Sequence, residues 1–334
     1  MIKWISSKLL VLLITLIGSS LISFSLIRLI PGDPVQNLLG ERGGSEEQIA
    51  QMKKNFGLDK SLPEQYLFFI KNAIKGDMGN SIISQRSVTE EFWSRFPATL
   101  ELGFTALIWS ALLGIPLGIL AAYKRNSIWD YGVTGVSLLG FSMPIFWWGL
   151  LLILLFSVNL GWFPVSGRTA VAFDIPVKTG FYLIDSWALG SEAFISSLKH
   201  LVLPAIVLGT IPLAILTRIT RSSLLEVMNE DYIRAARARG ISISKIVLKH
   251  ALRNALLPIV TILGFLVGSI MTGAVLTESI FSWPGVGRWL IKSIEARDYP
   301  VIQGGILYTS AAIVIVNIIM DLVYSFLNPK LKKR

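Results

Sequence analysis

Six runs of this chain are apolar for long enough to cross a bilayer. They fall at residues 9–30, 98–122, 131–158, 201–217, 257–281 and 305–327. A helix of roughly 20 apolar residues spans the hydrocarbon core, so the pattern predicts an all-α polytopic membrane protein with six transmembrane helices. The alternating strands of a membrane barrel are absent from the pattern. The first run, after Lys3 and Lys8, is longer than the apolar part of a secretory signal, and no small-residue cleavage site follows it. We therefore expect it to be a retained helix.

The polar stretches between the runs divide the chain. Residues 1–30 form a terminus and first helix, 31–97 a long loop, 98–327 a membrane core containing the loop 218–257, and 328–334 a basic tail. Two helices are expected in the long loop. Ser45-Glu46-Glu47-Gln48 and Ser61-Leu62-Pro63-Glu64 are capping boxes, with Gly57 and Gly76 as stops. Tyr66, Phe69, Ile70, Ala73 and Ile74 share one helical face, so the loop reads as a small folded cap. The third run contains Ser142-Met143-Pro144, where the proline should loosen the helix.

Composition agrees: 53% hydrophobic residues, 16% charged residues and a mean hydropathy of +0.63. The net charge of +10 would suit a nucleic-acid partner, but its distribution excludes that reading. One set of non-membrane segments holds 16 Lys/Arg against 4 Asp/Glu, and the opposite set holds 14 against 14. This is the positive-inside bias, which puts both termini and 218–257 in the cytoplasm. The long loop is then an extracytoplasmic cap. There is no cysteine and only His200 and His250, so neither a thiolate nor a histidine metal site is expected.

Catalytic motifs are missing: there is no P-loop, no H-E-x-x-H and no G-x-S-x-G. Glu278 and Asp321 lie within apolar runs, where an acid is costly and faces protein or water. They would serve a proton-coupled secondary transporter, though an acid paired or solvated near a span end explains them as well. The stretch 229–258 is more specific. It carries six Lys/Arg and two acids between apolar runs, so it cannot lie in hydrocarbon. Asn229 or Asp231 can cap a helix whose acidic first turn suits its dipole. Arg234-Ala235-Ala236-Arg237-Ala238-Arg239 then sets small side chains among long cationic ones, which lets a partner approach closely while the arginines fix its orientation. Gly240 ends that helix, Ser242 or Ser244 restarts it, and Ile243, Ile246, Val247 and Ala251 recur on one side. Pro258 marks entry into the fifth run. Attraction to lipid headgroups would explain the charge but not the alanines or the glycine.

This arrangement resembles the EAA loop of permease subunits in ATP-binding-cassette importers. Arg234-Ala235-Ala236 stands where Glu-Ala-Ala is usual, Gly240 is in register, and Leu257-Pro258 matches the later Leu-Pro. The arginine at position 234 and a glycine-to-proline interval five residues longer than the common form both resemble the peptide/nickel subfamily. Pro31-Gly32-Asp33-Pro34, Ala98-Thr99-Leu100-Glu101-Leu102, Ser142-Met143-Pro144-Ile145-Phe146-Trp147-Trp148-Gly149 and Thr277-Glu278-Ser279-Ile280-Phe281-Ser282-Trp283-Pro284-Gly285 extend the likeness over nearly the whole chain. Pro164-Val165-Ser166-Gly167-Arg168 and Tyr299-Pro300-Val301-Ile302-Gln303-Gly304-Gly305 bring it nearest to the dipeptide-transporting B-type permeases.

The resemblance implies a type I importer permease fold in a bacterial cytoplasmic membrane. It implies a C-type permease partner, two ATPase subunits carrying ATP and magnesium, an extracytoplasmic binding protein and a peptide cargo. The chain itself would bind no cofactor and catalyse nothing, and nickel, glutathione and oligopeptide permeases are similar. Asp231, Tyr232, Arg234, Ala235, Ala236, Arg237, Ala238, Arg239 and Gly240 would couple to the ATPases. Met143, Phe146, Trp147, Trp148 and Glu278 are the expected lining of the translocation path, against a plain packing or interfacial role for the aromatic residues.

Overall fold

The computed structural model describes residues 2–29, 47, 50, 51, 54 and 59–327. Among them the regular elements are helices: α1 (Ile2–Leu29), α2 (Leu62–Ile74), α3 (Val88–Tyr123), α4 (Ile128–Ser142), α5 (Ile145–Leu152), α6 (Tyr182–Trp187), α7 (Ser191–Val227), α8 (Asp231–Ala238), α9 (Leu252–Ile280), α10 (Val286–Glu295) and α11 (Tyr299–Leu327). π-helical stretches continue α5 over Ile153–Asn159 and lead into α9 over Ile246–Ala251. The expected helix at 45–57, the Pro31-Gly32-Asp33-Pro34 turn and the basic tail lie outside the described residues.

Among the described residues five helices are long and apolar enough to cross a membrane, and a sixth crossing exists if the bent pair Ile128–Ser142 and Ile145–Asn159 counts as one. The third run is therefore broken rather than loosened, with a bend of 107°. Proline supplies no N–H and drives the preceding residue out of the helical region, and Met143 is extended at φ −80 and ψ 132. Helices also outrun their apolar cores. α7 continues through Val227 although strong apolarity ends near Thr217. At 1.5 Å per residue its 37 residues reach about 55 Å, against a hydrocarbon thickness of about 30 Å.

Contacts divide the chain into residues 1–97 with 284–315, and residues 98–283 with 316–334. In the first unit, Met78, Val88, Phe92, Val286, Trp289 and Val301 form a buried cluster. This cluster packs Val286, Trp289 and Val301 against Met78, Val88 and Phe92. Asp298 accepts hydrogen bonds from the Ser81 hydroxyl and the Ile82 N–H, and the Trp289 indole donates to Glu91 at 2.7 Å. α2 forms where its capping box predicts. The Ser61 N–H and hydroxyl both donate to the Glu64 carboxylate, holding that carboxyl below its ordinary range. Tyr66 packs edge-on against Phe24 and Phe69 joins the cluster, but Ile74 is 82% exposed, turned off the face assigned to it.

The second unit is built on α3, α7 and α9. α3 and α7 approach closely at Gly209, where a Cβ would lie 2.6 Å from the Ala106 carbonyl, so only glycine fits. There the Trp109 indole donates to the Ala205 carbonyl at 2.6 Å, and the Ser110 hydroxyl to that of Gly209 at 2.7 Å. Leu216, Ile259 and Leu266 pack α7 against α9. The connection between α5 and α7 is tied to α3 by an ion pair between Arg168 and Glu101, both buried.

Candidate functional site

α8 starts at Asp231 and stops at Ala238, the bounds its acidic first turn and following glycine suggest. Neither expected cap caps it. Glu230 occupies that position without a side-chain hydrogen bond, and Asp231 sits inside the first turn, 3.0 Å from the Arg234 guanidinium. At the other end the Ile241 N–H bonds the Ala236 carbonyl and the Gly240 N–H that of Arg237. That pair is a Schellman motif, and it needs the left-handed residue supplied by Gly240 at φ +72. Ser242 precedes the restart at Ile243, again without a side-chain cap.

One side chain seats the helix. Ile233 is fully buried among Ala122 of α3, Leu224 of α7, and Ile246, Val247, Ala251 and Ala255 on the way into α9. Of the alanines, Ala236 turns towards this cluster, while Ala235 and Ala238 lie exposed beside Arg234, Arg237 and Arg239. The presented face is thus two small side chains framed by three cations. Tyr232, 42% exposed, accepts a hydrogen bond at 2.7 Å from the Asn254 amide, which links α8 directly to the first turn of α9. Sequence reasoning missed Asn254, since a polar residue at a span entrance carries no signal of its own. It also expected Ile243 on the buried side, where the structure leaves it 40% exposed, and Pro258 at the start of the span, where it lies inside α9.

The residues expected on a path do not gather together. Phe146 and Trp147 are exposed on α5, Met143 is half-buried at the bend, and Trp148 turns inward to donate from its indole to the Thr210 hydroxyl at 3.1 Å. Glu278 has no accessible surface and accepts a hydrogen bond from the Thr99 hydroxyl at 2.6 Å. It therefore borders no open space here.

Long apolar helices joined by a short polar helix define the chain as a polytopic membrane protein. It belongs to the family of binding-protein-dependent transport system inner membrane components: the model of that family matches residues 114–333, and the model of the family's N-terminal region matches residues 1–103. It is thus a multi-pass inner membrane permease component rather than an enzyme, and a separate binding protein is part of the system its family describes. The chain is 50% identical over 333 residues to the di/tripeptide transport system permease protein DppB of Pseudomonas aeruginosa, covering 99% of both chains. It is 52% identical over 333 residues to the dipeptide transport system permease protein DppB of Haemophilus influenzae, covering 99% of this chain and all of that one. Among solved structures, the MetNI methionine ABC transporter in an inward-facing form shares the fold. There the TM-score is 0.52 at 16% identity, covering 72% of this chain and 96% of that one.

Proposed function

We propose that this chain is one of two permease subunits of an ATP-driven importer for dipeptides and other short peptides, with α8 as its coupling helix. The observation that carries the coupling role is the construction of α8, whose one deeply buried anchor is Ile233 and whose alanines and arginines face outward. Such a face suits the surface groove of an ATPase subunit, with Ala235 and Ala238 admitting its backbone and the arginines pairing its carboxylates. The peptide cargo rests on the two relatives above. The C-type permease, the two ATPases holding ATP and magnesium, and the binding protein follow from the same family. Both termini and α8 lie in the cytoplasm, in keeping with the basic set of loops.

In this reading ATP closes the ATPase pair and drags α8 with it. The Schellman turn, the Tyr232–Asn254 hydrogen bond and the cluster around Ile233 pass that displacement to α7 and α9, which tilt and change the side on which the path is open. Gly240→Pro tests it. The substitution removes the N–H that bonds Arg237 and imposes a negative φ, so the assembled complex should insert and hydrolyse ATP while losing peptide uptake. Normal coupled uptake by reconstituted Gly240→Pro complex would sink the coupling role. Copurification should recover two P-loop proteins and a second permease.

A further inference from the structure

Between α4 and α7 lies a cavity of about 120 Å³ that none of the roles above uses. Leu138, Phe141 and Ile215 form its apolar wall, and Ser137, Arg218 and Arg221 bring polar groups to it. The two arginines differ. Arg221 is held by Asp130 through its Nε at 2.6 Å and its second terminal nitrogen at 2.8 Å, and Asp130 also accepts the Asn126 N–H. Arg218, one turn earlier, has no carboxylate partner among the described residues and is exposed at the cavity. Arg218 stands where α7 leaves its apolar core, at the first residue of the stretch assigned to the cytoplasmic side, so a charged solute leaving the membrane there would meet it.

We infer that this cavity is a transient site for the cargo, in which Arg218 holds the C-terminal carboxylate of a short peptide while the wall of Leu138, Phe141 and Ile215 receives a small side chain. A guanidinium offers a carboxylate a planar pair of donors, which makes Arg218 more than a point charge. The cavity takes the carboxyl end of a small peptide and is too small for a folded ligand. The Arg221–Asp130 pair keeps the second arginine and the neighbouring carboxylate occupied with one another, so Asp130 does not neutralise the site. The apolar wall begins two residues before the bend at Met143, which places the cavity beside the stretch expected to line the path. This inference rests on the peptide-import reading and gives that reading a binding group.

The chain contains no cysteine, so a single Ser137→Cys substitution gives it a unique thiol at the cavity. The assembled importer carrying it, with any cysteines of its partner subunits replaced, is reconstituted in vesicles and labelled with a small thiol reagent during ATP-driven turnover. Alanyl-alanine delivered by the binding protein should slow labelling several-fold, and Arg218→Gln in the same background should abolish that protection. Separately, Arg218→Gln should reduce uptake by about tenfold, the loss of one charge-assisted hydrogen bond, with Arg218→Lys recovering only part of it. Labelling that ignores the peptide overturns the site. So does protection that follows the anionic lipid content of the vesicle without peptide, which would make the occupant a phospholipid. If the complex without either substitution carries no peptide at all, the peptide-import reading fails instead.

Discussion

Two polar elements of the unit formed by residues 98–283 and 316–334, the 159–190 loop and α8, are held by opposite means. Glu101 and Ala122 lie on the same helix, 21 residues apart, which is about 30 Å along α3. Around Glu101 the fastening is polar and buried. Its carboxylate takes the Arg168 guanidinium and the Leu183 N–H, Arg168 also donates to the Gly180 carbonyl, and its guanidinium lies 3.9 Å from the centre of the Tyr182 ring. Asp185 then ties the same loop, accepting the Thr179 hydroxyl and the N–H groups of Lys178, Thr179 and Gly180. Around Ala122 the fastening is apolar, and every arginine of α8 points away from it. The difference separates a latch from a lever. Paired buried charges admit one geometry, whereas a greasy anchor leaves the charged face free for a partner.

Breaking each fastening tests that contrast. Arg168→Ala leaves Glu101 buried without its cation and should cost about 3–5 kcal/mol. The expected outcome is a large drop in the melting temperature of the purified protein, and an unchanged melt would show that the latch carries no load. Ile233→Ala removes the apolar anchor, which should cost about 2–4 kcal/mol and expose α8 to protease cleavage first. Cleavage that begins in the 159–190 loop instead would reverse the assignment of latch and lever.

Asp185→Asn should cost about 1–3 kcal/mol by leaving buried N–H groups poorly matched. Burial pushes the Asp185 carboxyl up, but the Thr179 hydroxyl and three N–H groups outweigh it, so the pKa lies below the ordinary range. That contribution is therefore complete above the ordinary carboxylate range and lost as pH falls through the lowered value. The Asn variant should show a weaker acid dependence of melting than the parent. The smallest effect on stability sharpens the comparison most. Ala235→Glu should leave melting unchanged and abolish peptide uptake, while Ala236→Glu should lower melting because it forces a charge against the cluster around Ile233. Equal melting of the two variants would mean that the alanines share one face.

The lever was far more legible than the latch. Its limits are written locally, in an acidic first turn at Asp231 and a glycine at the stop. Its inward residue was not, because Ala235 and Ala236 are identical in composition and only the packing of α7 and α9 distinguishes them. Arg168 and Glu101 stand 67 positions apart, and neither carries a mark of the other. Glu278 illustrates the same limit, since an acid in an apolar run reads alike whether it lines a watery path or lies sealed against Thr99.

Local periodicity and charge placement determined where the apolar runs lie, the position of the polar helix and its stop. These follow from hydrogen-bond geometry within a few residues and from the cost of leaving charge in hydrocarbon. The 107° break at Met143-Pro144, the reach of α7 beyond its apolar core, and the partners of each buried charge were decided by the tertiary structure alone. Proline forbids one conformation without choosing the next, and a buried ion is satisfied by whichever partner the fold delivers.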